Sequence, residues 1–308
     1  MANPFESSNK SLDRTFSDHE KRQLNVLLKR YAANAPTPHD FIFSYDRETV
    51  QKDENELAKK KAGFTQTPEE QELYFYSKVL ELIIDNFSDI WLPGVLCRVS
   101  EYDDIKHGTD ALLEARSPKG SQILRLLLDI TSGIEDAAQK LRTNINNIER
   151  GQLQKIKYYA SELGAIDKGQ QYLKVIVGAD RKQIVELGKQ LLLYEQSIAE
   201  IKKLHKEKTI VPKELLDKKE RAFKNIAAHG LGADLVIDIH KQLQNALDTL
   251  NHLLESRQPG NLAQKLAELE EWLGLFSEKE KVLTSAKDKD YHNLVHERLL
   301  TEISNQGL

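Results

Sequence analysis

Five carboxylates lie within the sixteen residues "SEYDDIKHGTDALLEA", which span 100–115. The second half, "TDALLEA", alternates polar and apolar residues as a β-strand does, so Asp110 and Glu114 are expected on one face of that strand. Carboxylate oxygens are the ligands that Mg²⁺ and Mn²⁺ prefer in proteins. The stretch therefore allows two interpretations, a metal-binding cluster or an acidic loop that leads into an ordinary strand.

A further acid, Asp129, interrupts the apolar run "QILRLLLDIT" at 122–131. A lone carboxylate in a buried strand is costly, so Asp129 needs a cation, hydrogen-bond donors or water. If the two strands form a hairpin, Asp110 and Asp129 lie at or near the same end of adjacent strands. We therefore predict that this pair binds Mg²⁺ or Mn²⁺, with water and substrate phosphate completing the coordination shell.

The same acids also have structural interpretations. Asp103 and Asp104 fit a solvated loop, and Asp110 fits a turn residue that precedes its strand. Asp129 fits a capping residue before the next helix. Glu101 fits either a loop acid or a member of the site.

The segments around these acids predict an α/β unit, because residues 67–208 read as helix, strand, strand, strand, helix, strand, helix. A long helix is predicted over 132–163, and "DFIFSY" at 40–45 predicts a short strand. We expect three regions, which are an N-terminal helical extension (1–66), the α/β core (67–208) and a helical bundle region (209–308).

This order of elements resembles the PD-(D/E)xK nuclease superfamily, whose core runs helix, three strands, helix, strand. Its motif places an Asp at the start of the second strand and Asp/Glu-x-Lys on the third. Asp110 in "HGTDALLEA" matches the first acid and Asp129 in "LLLDIT" matches the second. Glu72 or Glu81 matches an acid that the first helix often supplies. The resemblance covers roughly 67–190 and implies a restriction-endonuclease-like fold, a small mixed sheet flanked by helices.

The chain departs from this pattern at Thr131, where the family has a lysine. We expect Lys140, on the following helix, to replace it. The resemblance then implies metal-dependent hydrolysis of phosphodiester bonds, in which Asp110 and Asp129 hold the metal and Lys140 orients the attacking water. Glu101 is a further candidate for a catalytic acid. Without a replacement lysine, the resemblance implies a degenerate relative that binds nucleic acid without cleaving it.

Basic residues near the core are candidates for contacts with substrate phosphates. The stretch "RGQLQKIKYY" places Arg150, Lys155 and Lys157 beside two tyrosines, although a solvated helix face with aromatic core residues would give the same pattern. The formal net charge of the chain is −4, so binding of nucleic acid would require a local positive groove.

The bulk composition, 40% hydrophobic and 30% charged, suits a protein with long amphipathic helices. One cysteine excludes an intrachain disulfide, and the N-terminal segment lacks the apolar core of a signal peptide, so we expect a cytoplasmic protein. No apolar run is long enough to span a bilayer, and no membrane partner is expected. The C-terminal helices predict a protein partner or self-association. The competing hypothesis is a non-catalytic helical interaction or scaffold protein whose acids are structural.

Overall fold

The protein combines helices with a small mixed β-sheet. The computed structural model describes residues 15–63, 65–120, 122–164, 170–256, 262–284 and 294–305. The strands are β1 (Val95–Arg98), β2 (Ala111–Arg116), β3 (Ile123–Thr131), β4 (Gln154–Lys155), β5 (Gln171–Tyr172) and β6 (Lys174–Gly178). The helices are α1 (Asp18–Ala32), α2 (Arg47–Gly63), α3 (Pro68–Trp91), α4 (Glu101–His107), α5 (Ile134–Glu149), α6 (Arg181–Lys206), α7 (Lys213–Ala227), α8 (Leu231–Ser256), α9 (Leu262–Thr284) and α10 (Leu294–Asn305).

The main sheet has the strand order β1-β2-β3-β6. β1 and β3 both pair antiparallel with β2, and β6 pairs parallel with β3. The helix α5 lies between β3 and β6 in the chain, as a parallel connection requires. The predicted order of helix, three strands, helix, strand, helix over this region is confirmed, with α4 and the β4–β5 pair as additions.

The two faces of the sheet differ in what covers them. One face presents an apolar row that includes Leu113, Leu126 and Leu128, and it packs into the main core with α3 and α6. The opposite face carries a small second core, to which Leu112 and Leu127 contribute. The acids Asp110, Glu114 and Asp129 belong to this second face by strand alternation, so the sheet itself sets them on one side.

Local sequence explains where α3 begins. Thr67 is its N-cap and forms a capping box with Glu70, and Pro68 occupies the first helical position. The helix then buries its apolar side in the main core, where Tyr76, Leu80 and others are fully covered. These features set where the helix begins and which side of it is buried, and they bring Lys78 and Glu81 to the end of the β2–β3 hairpin.

Two of the predicted elements are wrong. The segment 40–45 is not a strand, because Pro38 and a capping box between Thr37 and Asp40 start a 3-10 helix over Pro38–Phe41. The helix predicted over 132–163 ends at Glu149, and Gly151 then adopts the left-handed φ of 70°.

The strand β6 lies at the edge of the sheet, and helix α8 covers it. The side-chain amide of Gln242 donates to the carbonyl of Ile176 (2.6 Å) and accepts from its N–H (2.8 Å). The side chain of Gln242 thus forms the hydrogen bonds that a neighbouring strand would form with Ile176, and it satisfies part of the exposed backbone edge of β6.

No helix in the described part of the chain is long and apolar enough to cross a bilayer.

Candidate active site

Asp110 and Asp129 face each other across the β2–β3 hairpin. Ala111 pairs with Leu128, and this antiparallel register continues to Asp110 and Asp129 at the end of β2. The N–H of Asp110 donates to the carbonyl of Leu128 (2.9 Å), and the N–H of Ile130 donates to Asp110 Oδ2 (2.7 Å). Directly opposed residues of a hairpin share a face, so Asp110 and Asp129 lie on one side of the sheet at this end of the hairpin.

Lys78 enters this region from α3. Its Nζ atom lies within hydrogen-bonding distance of three carboxylates: Glu81 at 2.7 Å, Asp104 at 2.8 Å and Asp110 at 3.0 Å. The side chain of Lys78 is only 18% exposed, so these ion pairs form in a poorly solvated place. One ammonium therefore serves as the common counter-ion of acids from α3, α4 and the start of β2.

Asp129 has two counter-ions of its own. Lys140 Nζ, from α5, lies 2.8 Å from Oδ1, and Lys174 Nζ, from β6, lies 3.3 Å from Oδ2. Lys174 also donates to the carbonyl of Gly108 (3.3 Å), the residue with left-handed φ that ends α4. We name the group of Lys78, Glu81, Asp104, Asp110, Asp129, Lys140 and Lys174 the acid–lysine cluster.

Three acids of this cluster, Glu81, Asp104 and Asp129, resist ionisation. Burial raises the pKa of Glu81 to about 7, and it raises the pKa of Asp104 to about 6 with help from the negative charge of Asp110. Burial also raises the pKa of Asp129. The negative charge of Asp110 adds to this rise, whereas the positive charges of Lys140 and Lys174 oppose it. The crowded carboxylates therefore favour additional positive charge at this end of the sheet.

Lys140 remains a cation. Burial alone would lower its pKa, but the charge of Asp129 and the hydrogen bond to it outweigh burial and raise the pKa of Lys140 above its usual value. Its side chain is 34% exposed, so part of Lys140 faces solvent. Lys140 can thus act as a fixed positive charge, and a role as general base at neutral pH does not fit.

Two predicted acids lie outside this cluster. Glu101 begins α4 and pairs with Lys61 (2.8 Å), with 52% of its side chain exposed. Glu72, one of the two helix acids proposed for the site, pairs with Arg181 (3.1 Å). The other helix acid, Glu81, does lie in the cluster, where it shares the ammonium of Lys78 with Asp110.

The predicted phosphate contacts divide into exposed and engaged side chains. Arg150, at the end of α5, and Lys155, on β4, are exposed. Lys157 instead forms an ion pair with Asp53 and packs over the ring of Tyr45. Arg150 and Lys155 can therefore approach a large ligand, whereas Lys157 would first have to leave its ion pair.

The interpretation of Asp103 and Asp104 as solvated loop acids is wrong. Both lie in α4, which Ser100 caps by accepting a hydrogen bond from the N–H of Asp103. Asp103 is fully buried and accepts from the backbone N–H groups of Lys157 (2.9 Å) and Tyr158 (2.7 Å). Asp104 belongs to the acid–lysine cluster, as described above.

Sequence reasoning also missed Lys78 and Lys174. Lys174 is the one cation in the apolar run "YLKVIVGA", and such an isolated charge in a strand indicates a paired role. Lys78 lies three residues before Glu81, a spacing that puts both on one side of a helix. Thr131, at the position of the family's lysine, is buried and donates to Asp136 (2.7 Å).

The second polar contact on this sheet face differs from the cluster. Glu114 lies opposite Arg125 and accepts from its Nε atom at 2.7 Å. It also accepts from Ser161 (2.9 Å) and from the backbone N–H groups of Glu162 (3.0 Å) and Leu163 (3.2 Å). The carboxylate of Glu114 thus ties the segment after β4 to the sheet.

The donor set permits a metal site of one particular kind. Among the residues that the structure describes, no group of three or more His, Cys, Asp and Glu side chains is arranged to hold a metal ion. Mg²⁺ commonly takes only one or two carboxylates and completes its shell with water and substrate phosphate. The pair Asp110 and Asp129 supplies that number of carboxylates, and each of the two already accepts a hydrogen bond from at least one lysine of the cluster.

Comparison of the chain with family models, with curated proteins and with solved structures gives no match. The interpretation of this site therefore depends on its geometry and chemistry alone.

Proposed function

We propose that this protein is a metal-dependent nuclease with a restriction-endonuclease-like core, which hydrolyses phosphodiester bonds of nucleic acid. The observation that carries the proposal is the convergence of Asp110, Asp129 and Lys140 at one end of the sheet. They come from the start of β2, from β3 and from α5. A pair of acids with an adjacent lysine is suited to a metal ion and an anionic substrate.

The side chains have distinct roles in this proposal. Asp110 and Asp129 would hold Mg²⁺ or Mn²⁺, which would supply Lewis acidity and neutralise charge on the phosphate. Lys140 takes the role of the lysine that Thr131 cannot fill, because its ammonium lies 2.8 Å from Asp129 and stays positive. It would orient the attacking water and stabilise negative charge that develops on the phosphate. Lys174 holds the second oxygen of Asp129 and so fixes the orientation of that carboxylate.

Nucleic acid would reach the site with the help of exposed basic side chains. Arg150 and Lys155 are exposed, and they would contact backbone phosphates rather than bases. Since the net charge of the chain is −4, such contacts would be local, and we expect binding to weaken strongly with added salt.

The test is a cleavage assay with single- and double-stranded DNA and RNA in Mg²⁺ or Mn²⁺. The variants are Asp110→Asn and Asp129→Asn, which keep the shape of each side chain and remove its charge. We expect each to reduce the cleavage rate by about a thousandfold or more, as loss of several kcal/mol of charge stabilisation would. Glu220→Gln is the matched control, because Glu220 forms an exposed ion pair with Lys224 on α7.

One observation favours the competing function of a non-catalytic interaction protein. Asp110 and Asp129 already have lysine partners, so the cluster could be structural. If the wild type cleaves none of these substrates in either metal, the nuclease proposal fails. Binding of nucleic acid without cleavage would then indicate the degenerate form, and no binding would favour the hypothesis of a non-catalytic interaction protein.

A further inference from the structure

We propose that Lys78 is an internal counter-ion of Asp110 that competes with the metal for this carboxylate. The inference rests on the proposed metal site at Asp110 and Asp129, and it assigns to Lys78 the control of metal affinity at that site. Lys78 is thus a positioning residue, since it acts through Asp110.

The first step is the saturation of the ammonium group. A lysine ammonium has three N–H donors, and Lys78 faces three carboxylates at 2.7–3.0 Å. Its full donor capacity is directed at the acids, as expected of a residue placed to neutralise them. The ring of Tyr74 also lies near the ammonium of Lys78, with its centroid 5.5 Å from Nζ.

The second step is the rigidity of its position. Lys78 lies within α3, a helix of 24 residues that is anchored in the main core. It is separated by one turn from its partner Glu81, and 82% of its side chain is covered, since 18% is exposed. The ammonium therefore stays close to Asp110 unless the side chain itself swings away.

The third step is the electrostatic conflict with a metal. Lys78 Nζ lies 3.0 Å from Asp110 Oδ1. A divalent ion on the same carboxylate would sit about 2.0 to 2.6 Å from an oxygen, so the two cations would repel each other at short range. Metal binding at Asp110 therefore requires Lys78 to give up this contact, and Glu81 and Asp104 remain available to hold it.

The fourth step separates Lys78 from the other lysines. Lys140 and Lys174 both bind Asp129, through different oxygens. Lys78 is the one whose hydrogen bond goes to Asp110 among the lysines of the cluster. Replacing it therefore changes the charge balance at one metal ligand and leaves the partners of the other in place.

The experiment is isothermal titration calorimetry of the full chain with Mn²⁺, without nucleic acid. Lys78→Met removes the charge and keeps an unbranched side chain, and we expect it to lower the Kd for Mn²⁺ by about tenfold or more. Lys78→Arg keeps the charge, so its Kd should be equal to that of the wild type or higher. Lys224→Met, which removes a surface lysine from an exposed ion pair, is the matched control and should leave the Kd unchanged.

Thermal unfolding gives a second readout if Lys78→Met is poorly folded without metal. Because a ligand that binds only the folded state raises the Tm, Mn²⁺ should raise the Tm of Lys78→Met more than that of the wild type. Asp110→Asn should abolish this gain in both backgrounds. Loss of the gain there would locate the metal at Asp110.

The outcomes separate the two proposals. A Kd for Lys78→Met that equals or exceeds that of the wild type, with an equal Tm gain, overturns the competition but leaves the metal site standing. Failure of Mn²⁺ to bind either protein overturns the metal site and the competition together. A tighter Kd in Lys78→Met alone supports the role of Lys78, whatever the cleavage assay shows.

Discussion

One face of the sheet carries an acid at each end of the β2–β3 hairpin, and the residue that lies across the hairpin is basic at one end and acidic at the other. At one end of the β2–β3 hairpin, Glu114 is paired with Arg125 directly across the strands. At the other end, Asp110 is paired with a second acid, Asp129. The strands, the face and the residue class are the same, and only the residue across the hairpin differs.

That difference changes the electrostatics of each end. At Glu114, burial opposes ionisation, but the hydrogen bonds from Arg125, Ser161 and Cys97 outweigh it and lower the pKa of the carboxyl. In the acid–lysine cluster, burial prevails, and the pKa of Glu81 rises to about 7. A carboxylate satisfied by its own neighbours acts as a structural tie, whereas acids placed against one another are suited to an added cation.

The largest expected effect concerns the stability contributed by the Glu114 end of the hairpin. Glu114→Ala removes the carboxylate partner of buried Arg125 and the acceptor of the hydrogen bonds from Ser161 and the segment directly after it. We expect the free energy of unfolding to fall by about 3 to 5 kcal/mol, the cost of removing one partner of a buried ion pair. Urea denaturation followed by circular dichroism measures it.

The control for that variant is Glu101→Ala, which breaks an exposed pair with Lys61. Exposed pairs contribute about 1 kcal/mol or less, so its unfolding curve should lie close to that of the wild type. Similar losses in the two variants would contradict the structural role of Glu114.

A smaller effect, on the cleavage rate, is expected from Lys140 at the Asp129 end of the hairpin. Lys140→Met removes the fixed positive charge beside Asp129 and should lower the cleavage rate by about a hundredfold, since one preorganised charge stabilises the transition state by a few kcal/mol. The KM for substrate should change less than kcat. Lys140→Arg should retain part of the rate, and an unchanged kcat in Lys140→Met would exclude Lys140 as the replacement for the family's lysine.

The smallest effect is a difference in the sign of two pH dependences. The folded state lowers the pKa of Glu114 from 4.5, so its contribution is present above that pH and is lost as pH falls through the lowered pKa. The folded state raises the pKa of Glu81 from 4.5 to about 7, so ionisation of Glu81 costs stability as pH rises through that window.

Glu114→Gln and Glu81→Gln turn this contrast into a measurement. Glu114→Gln should be less stable than the wild type at about pH 8, and the gap should narrow toward about pH 4. Glu81→Gln should match the wild type at about pH 4 and gain relative stability toward about pH 8. Unfolding free energies from urea titrations at the two pH values test both, and slopes of the same sign would contradict the comparison.

Much of the core could be predicted from local patterns. The alternation of "TDALLEA" and "QILRLLLDIT" predicts Asp110 and Asp129 on the same face, and the pairing of β2 with β3 from Ala111 and Leu128 onward agrees with that placement. The caps of α3 were equally readable, because N-caps and first-turn prolines act within a few residues of one another. The resemblance to the nuclease family leads to Lys140, on the next helix, as the replacement lysine, and its Nζ atom does contact Asp129.

Two features of the structure could not be predicted from these local patterns. The local sequence predicts a loop position for Asp103, but backbone N–H groups more than fifty residues away donate hydrogen bonds to its carboxylate. The helix predicted after β3 is too long because the apolar and basic pattern continues past Gly151, although a glycine after the C-cap is a common signal for the end of a helix.

The sequence by itself determined which side of each strand the acids occupy, since strand periodicity is a local property of the backbone. It also determined the order of the elements that carry them. Only the tertiary structure decided the partner of each acid, because Lys78, Lys174 and Ser161 come from elements distant in the chain. These partners decide what each carboxylate is bonded to, so packing distinguishes the structural Glu114 from the candidate metal ligand Asp110.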